Sequence, residues 1–261
     1  MKRPLLDVIF ASEKRKKVLL LLRDGAQEME IILRSLNTTR QALLPQIRIL
    51  EEHYLVVHYD DTYELTTIGK LVVDEMASLV GTLEAFDIDI DYWGTRRLDF
   101  LPPHLLKKMS ELRNCKIINP PLTELYSLHK SFNPESMPRS VYIVTTIFYP
   151  NFYSVAEEML ENDLTIYYIV SQELFGKIRT EYPEEFESLM KYETFNMYVY
   201  NKKMNFLFFT FDEVHILIQF LRRDSNFANK YVLCNTESAV NWGKELFEYC
   251  LKDSTPITKI N

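Results

Sequence analysis

The sequence predicts an α+β protein of more than one domain: an N-terminal helical module closed by a β-hairpin, a helical connector, and a C-terminal α/β domain with a mixed sheet. Three observations carry this. Apolar residues repeat at helical spacing up to Glu52 and then give way to two short strands. A strand–helix–strand order appears only from Val141 onward. Charge divides along the chain as well: residues 1–50 hold 10 Lys and Arg against 5 Asp and Glu, and residues 51–261 hold 20 against 32, so the net −7 resolves into +5 and −12. With roughly 100 to 200 residues per domain as a guide, the pattern sets domains at residues 1–80, 81–130 and 131–261.

Ser12 is placed to cap a helix from Glu13, with Val18, Leu19, Leu21 and Leu22 as its buried stripe and Asp24-Gly25 as its stop. A short amphipathic helix follows over Met29 to Leu36. Asn37-Thr38-Thr39 then starts a third helix reaching Glu52. With Leu43, Ile47 and Leu50 turned inward, Thr38, Gln41, Pro45, Arg48 and Glu52 fall near the outward face. Pro45 removes one backbone hydrogen bond, which predicts either a slight bend or a start later than Thr39. Tyr54 to Tyr59 and Thr62 to Leu65, joined by Asp60-Asp61, read as a hairpin. The following long helix opens at Thr66 or Thr67, and Ile68, Leu71, Val72, Met76, Leu79, Val80 and Leu83 form its apolar stripe.

From Glu84 to Phe132 the chain reads as an irregular connecting region, with one helix over Leu105 to Leu112 after Pro102-Pro103. Beyond it, Val141 to Thr146, a helix over Phe152 to Glu161, and Leu164 to Val170 form a βαβ unit with parallel strands. Helices near 173–179 and 184–191 precede strands at 195–200, 206–211 and 215–221, whose turns suggest an antiparallel meander. A last strand at 230–233 leads into a helix over Glu237 to Leu251.

A chain that is 47% hydrophobic and 26% charged is too apolar for disorder and too charged for a membrane protein. Cys115, Cys234 and Cys250 are odd in number and far apart, and the five histidines do not cluster at ligand spacing, so neither a disulfide framework nor a zinc site is expected. The apolar stretch in MKRPLLDVIF is too short for a signal peptide, and no apolar run reaches 18 residues, which predicts a cytoplasmic protein without a membrane partner.

Three helices and a hairpin in about 65 residues are the element order of a winged helix-turn-helix. The stretch LLPQIRILEEHYLVVHYDDTYELTTIGKL, Leu43 to Leu71, resembles the end of a recognition helix, a wing and the next helix in archaeal and bacterial winged-helix regulators. With Asp91-Tyr92-Trp93 and Leu101 to Leu106 as connector, the chain is similar to two-domain archaeal transcriptional regulators of the methanogenesis and filament-growth regulator family, which carry a FilR-type middle domain. Residues 10–110 carry the resemblance most closely. It implies a homodimer on double-stranded DNA, with the third helix in the major groove and the other basic groups on phosphates. Thr38, Thr39, Arg40, Gln41, Pro45 and Arg48 are then the groove-facing candidates, since Arg pairs with guanine and Gln with adenine. Lys14, Arg15, Lys16 and Lys17, with the wing residues Tyr59, Thr62 and Tyr63, are the phosphate candidates. Asp60 and Asp61 count against deep insertion of the wing, because carboxylates repel phosphate. The long helix after the wing serves equally as an intramolecular core face or as a dimer contact.

The C-terminal domain loosely resembles half of a phospholipase D-like fold, which also serves some archaeal regulators as a sensing domain. That chemistry needs a His with a Lys two residues later, and neither His215-Ile216-Leu217 nor His129-Lys130-Ser131 supplies it. No phosphate-binding glycine loop, nucleophile elbow or HExxH is present either, so no enzyme and no cofactor are expected. The alternatives to a sensing regulator are a phospholipase D-like phosphodiesterase with a nucleic-acid module, or a protein-docking scaffold. Phe148, Tyr149, Asn151 and Tyr153 lie past the C-terminal end of the first predicted strand of the sheet, where open α/β sheets bind ligands. They are the candidate rim for a small-molecule effector, although such aromatics suit a packed core equally well.

Overall fold

In the computed structural model, residues 3–121, 138–224 and 229–260 are described, and the chain divides into two units, Met1–Val80 and Gly81–Asn261. The sequence-based boundary at 130/131 and the His129-Lys130-Ser131 site lie outside the described residues.

The first unit begins with a helix that periodicity did not anticipate, α1 (Leu5–Phe10), which buries Val8 and Ile9. Ser12 Oγ accepts the Arg15 N–H and opens α2 (Glu13–Leu21). A 3₁₀ turn over Leu22–Asp24 ends at Gly25, whose φ of 132° is open only to glycine. The two-residue strand β1 (Gln27–Glu28) precedes α3 (Met29–Ser35) and α4 (Arg40–Glu52). Thr39 caps α4, accepting the Ala42 N–H, so the helix starts one residue after Thr39, the second of the two outcomes Pro45 predicts. Strands β2 (Val56–Tyr59) and β3 (Thr62–Leu65) form the hairpin, with Asp60 in the left-handed region that Asp tolerates. β1 adds to the other side of β3, giving the order β1-β3-β2. Val18, Leu19, Met29, Ile32, Leu43, Ile47, Leu50 and Leu55 close one core, each burial contributing about 1.5 to 3 kcal/mol.

The Thr-x-x-Gly step after the hairpin has a definite cause. Thr66 donates its hydroxyl to the Tyr54 carbonyl, accepts the Gly69 N–H at 2.9 Å and opens α5 (Thr67–Asp87). A Cβ on Gly69 would lie 2.0 Å from the Leu55 carbonyl oxygen, so only glycine lets helix and hairpin backbones meet. Along α5 the buried side chains are Val73, Met76, Ala77, Val80 and Ala85, whereas Ile68, Leu71, Leu79 and Leu83 are 49–69% exposed. The predicted stripe therefore merges two faces, because this helix is apolar on both sides and spacing alone does not separate them.

In the second unit, the segment read as irregular is built into the core. α6 (Ile90–Thr95), α7 (Pro103–Leu106), a 3₁₀ turn over Met109–Leu112 and the strand β4 (Lys116–Ile118) come first. Tyr92, Trp93, Leu101, Leu105, Met109 and Leu112 pack with sheet residues Phe209, Ile218 and Val232. Trp93 donates to the Ala85 carbonyl at 2.9 Å and Trp242 to the Leu105 carbonyl at 3.1 Å, which satisfies both indoles.

Then follow β5 (Ser140–Thr145), α8 (Phe152–Glu161), β6 (Thr165–Val170), α9 (Gln172–Glu181), α10 (Pro183–Leu189) and β7 (Phe195–Tyr200). β8 (Phe208–Phe211), β9 (Ile216–Gln219), β10 (Tyr231–Cys234), α11 (Glu237–Lys252) and β11 (Ser254–Ile257) complete the chain. The eight strands form one mixed sheet in the order β11-β7-β6-β5-β8-β9-β10-β4. β5, β6 and β7 are parallel, and the predicted βαβ unit is present.

The predicted meander is corrected. β8 and β9 do form a hairpin, but β7 pairs with β6 and β11, and β8 lies on the far side of β5. Residues 201–207 must cross three strand spacings, about 14 Å, well within the roughly 3.3 Å per residue of extended chain.

A second correction concerns the cysteines. The β10–β4 register pairs Leu233 with Lys116, so Cys234 and Cys115 stand opposite one another, with Cα atoms 4.4 Å apart and the sulfurs bonded. Sequence spacing hid this, because the pair is 119 residues apart. Cys250 is free and buried.

Candidate functional site

α4 turns Leu43, Ile47 and Leu50 into the core and leaves Thr39, Arg40, Gln41, Pro45 and Arg48 exposed, with Thr38 half-buried at the preceding turn. One helix face thus carries both polar groups needed for bidentate base contacts, Gln41 and Arg48. Arg40 is already engaged: its guanidinium donates through Nη1 and Nη2 to both carboxylate oxygens of Asp61 in the hairpin turn. This fork ties the start of α4 to the turn, and the hydrogen bond to Asp61 raises the Arg40 pKa above its ordinary value. The Asp61 charge is therefore largely spent on Arg40, while Asp60 remains exposed on the turn.

Several predicted phosphate contacts separate on inspection. Lys17 is exposed and Lys14 half-buried, and Lys16 pairs with Glu13 at 2.6 Å. Arg15 is a correction: it is 6% exposed, donating to the Val8 and Asp7 carbonyls and, at 2.7 Å, to Gln46 Oε1. Its charge holds α1 and α4 to α2, so it faces no outside partner. Tyr63 is likewise buried, stacked on His58 at 5.2 Å, and burial, with Asp61 adding, pushes its phenol pKa up. Tyr59, 68% exposed, and the half-buried Thr62 remain on the hairpin surface. Helical spacing put Arg15 among the lysines. What distinguished it was Gln46, 31 residues away.

In the second unit the predicted rim residues are drawn into different clusters. Phe148 stacks on Tyr182 at 4.5 Å beside Phe152 and Phe186, whereas Tyr149 meets Phe208 edge-on at 5.5 Å. Asn151 precedes α8 without a side-chain cap, and Tyr153 donates to Glu157 at 2.8 Å. All four are half-buried. A cavity of about 310 Å³ lies elsewhere, lined by Arg97, Leu98, Asp99 and Arg223. No sequence motif marked it, because Arg223 is far along the chain from Arg97, Leu98 and Asp99. Among the described residues, no helix is long and apolar enough to cross a membrane.

Residues 4–84 match the family described as methanogenesis regulatory protein FilR1, N-terminal domain, and residues 121–253 match the middle domain of the same protein. The methanogenesis regulatory protein FilR1 of Methanothrix harundinacea (strain 6Ac) is 25% identical over 250 residues, which are 93% of this chain and 55% of that protein. The chain thus spans about half the length of that relative. Among solved structures, TrmBL2, an archaeal chromatin protein whose structure shows a novel mode of DNA binding, aligns over 97% of both chains, with 12% identity and a TM-score of 0.44. The phosphatidylserine synthase of Haemophilus influenzae Rd KW20 aligns over 47% of this chain and 34% of its own, with 13% identity and a TM-score of 0.35. With the middle-domain match spanning half of its length and the N-terminal match preceding it, the chain belongs to the FilR1 family of methanogenesis regulatory proteins.

Proposed function

We propose that the chain is a DNA-binding transcriptional regulator whose residues 1–80 act as a winged helix-turn-helix, with α4 as recognition helix and β2–β3 as wing. The observation that carries this is the exposed face of α4, where Gln41, Pro45 and Arg48 project from a helix anchored by a complete apolar core. Gln41 and Arg48 read base edges, Thr38 and Thr39 support the helix start, and Arg40 stands beside this face, restrained by Asp61 from a full phosphate contact. Lys14, Lys16, Lys17, Tyr59 and Thr62 contact phosphates. The acidic remainder keeps non-specific DNA away from all but this head.

The exposed α5 stripe Ile68, Leu71, Leu79 and Leu83 supports a homodimer, the arrangement that reads two half-sites one turn apart. The second unit senses an effector, which alters DNA affinity by preferring one dimer geometry. The family's regulatory name and the missing His-x-Lys favour this over a phosphodiesterase.

The test is fluorescence anisotropy on DNA from upstream of the protein's own gene, across a salt series. Affinity falling linearly in log–log form supports phosphate contacts, and a flat plot refutes DNA binding. Arg48→Glu abolishes specific binding with an unchanged melting temperature, whereas a large loss of stability assigns Arg48 to structure.

A further inference from the structure

We propose that the second unit carries a phosphate-binding site at an arginine cluster formed by Arg96, Arg97, Arg222 and Arg223, and that its ligand is a small phosphorylated molecule.

The cluster is built by backbone pairing. Arg96 and Arg222 form an isolated antiparallel bridge, flanked by the Arg97 N–H donating to the Leu221 carbonyl at 2.8 Å and the Arg223 N–H donating to the Thr95 carbonyl at 2.9 Å. Two Arg-Arg dipeptides are thereby set side by side, an arrangement in which like charges repel. Among the described residues, two of the four donate hydrogen bonds to a carboxylate. Arg222 donates to Asp224 at 3.0 and 2.7 Å, and Arg97 donates to Asp99 at 3.4 and 3.0 Å. Arg223 gives its Nε to the Arg96 carbonyl at 3.3 Å, a neutral acceptor, and its charge acts on Asp99 only through space.

Arg96 is the decisive residue. It is 2% exposed, yet its Nε and Nη1 have no hydrogen-bond partner. The Tyr92 ring, 4.3 Å from the guanidinium carbon, covers one face of the group. A guanidinium does not escape burial by losing its proton, and although the Asp89 carboxylate lies within electrostatic reach, the two unsatisfied donors carry a cost that hydrogen bonds to an anion's oxygens relieve.

The open pocket beside this cluster has the chemistry for a phosphate group and room beyond it. Its lining is Arg97, Leu98, Asp99 and Arg223. Arginine forks match phosphate oxygens two at a time, and about 310 Å³ is far more than one inorganic anion needs. Leu98 gives the remaining volume an apolar wall. Asp99 is the internal competitor: the Arg97 hydrogen bond, with a smaller contribution from Arg223, holds its carboxyl below the usual range, so Asp99 partly neutralises the cluster.

The proposal deepens the sensing role assigned to the second unit, and binding is measured without DNA, so that it stands or falls separately from operator recognition. Isothermal titration of the full chain uses inorganic phosphate and glycerol 3-phosphate, with acetate at matched ionic strength as the control. Saturable binding of a phosphate compound but not acetate is expected, weakened about tenfold or more by Arg223→Gln and tightened by Asp99→Asn. Arg223 and Asp99 are both exposed, so these variants fold. Tighter binding of the ester identifies an organic phosphate, and equal binding identifies free phosphate. Absence of saturable binding, binding unaffected by Arg223→Gln, or an effect of that variant on DNA affinity alone overturns the site.

Discussion

Asp61→Asn isolates what the fork between helix and hairpin does. Arg40 and Asp61 are each about half exposed, 55% and 52% by side chain, and pairs so open to water contribute little to folding. The melting temperature therefore stays where it is. Removing the carboxylate does two things on the DNA side: it frees the Arg40 fork, and it deletes one negative charge from the turn proposed to approach the backbone. One additional phosphate contact steepens the log K against log [salt] slope by about 0.9, so that between roughly 50 and 200 mM salt the variant loses about 3.5-fold more affinity than the native protein. At low salt it binds more tightly. Anisotropy titrations at four or five salt concentrations measure both quantities. A slope equal to the native one, or weaker binding at low salt, refutes the idea that Asp61 restrains Arg40 and shows instead that the pair positions Arg40.

Four further outcomes follow from packing and charge. Gly69→Ala drives a methyl group into the Leu55 carbonyl and costs about 3 kcal/mol or more, read as a lowered midpoint for the first unit in denaturant; an unchanged midpoint means that hairpin and helix separate freely. Reduction of the Cys115–Cys234 bond opens a loop closed across 119 residues, a chain-entropy change of about 5 kcal/mol that lowers melting of the second unit by on the order of 10 °C. Intact protein that alkylates at both cysteines without reductant disproves the bond. Burial pushes the Cys250 thiol up to about 12, so above the unfolded thiol value of about 8.5 the unfolded chain sheds a proton that the folded chain keeps. Stability then falls as pH rises through that window, and Cys250→Ala flattens the decline. If the proposed homodimer forms through α5, Leu71→Glu and Leu79→Glu together lower the mass in sedimentation from two copies to one, whereas an unchanged mass overturns an α5 interface.

How much was legible in the sequence depended on how local the cause was. α2, α3, α4 and the hairpin follow from Ser12 and Thr39 capping, apolar spacing within one turn or two, and the Asp60-Asp61 turn, all of which operate within a few residues. The parallel pair β5–β6 was readable because α8 separates it at the length a crossover needs. What escaped was settled at long range. β7 prefers the open edge of β6 to its sequence neighbour β8, and nothing in Phe195 to Tyr200 announces that choice. β4 and β11 are three and four residues long, too short for any period to show. Arg15 looked like its lysine neighbours until Gln46 came beside it, and nothing in the sequence around Arg96 announces Arg222, which pairs with it. The outward face of α4 was the most legible part of the candidate site, because a helix whose inner stripe is known has its outer face fixed as well.

The ends of the eight-stranded sheet bear on how copies of this chain meet. Its outermost strand on one side, β11, contains Pro256, paired with Tyr198 of β7. A proline there removes one backbone donor from the row that an incoming strand would have to match. At the other end, β4 is only three residues long and is fastened to its neighbour through Cys115. Neither rim is a good template for continued strand addition, so association by sheet extension, the route toward open-ended fibres, is discouraged at both.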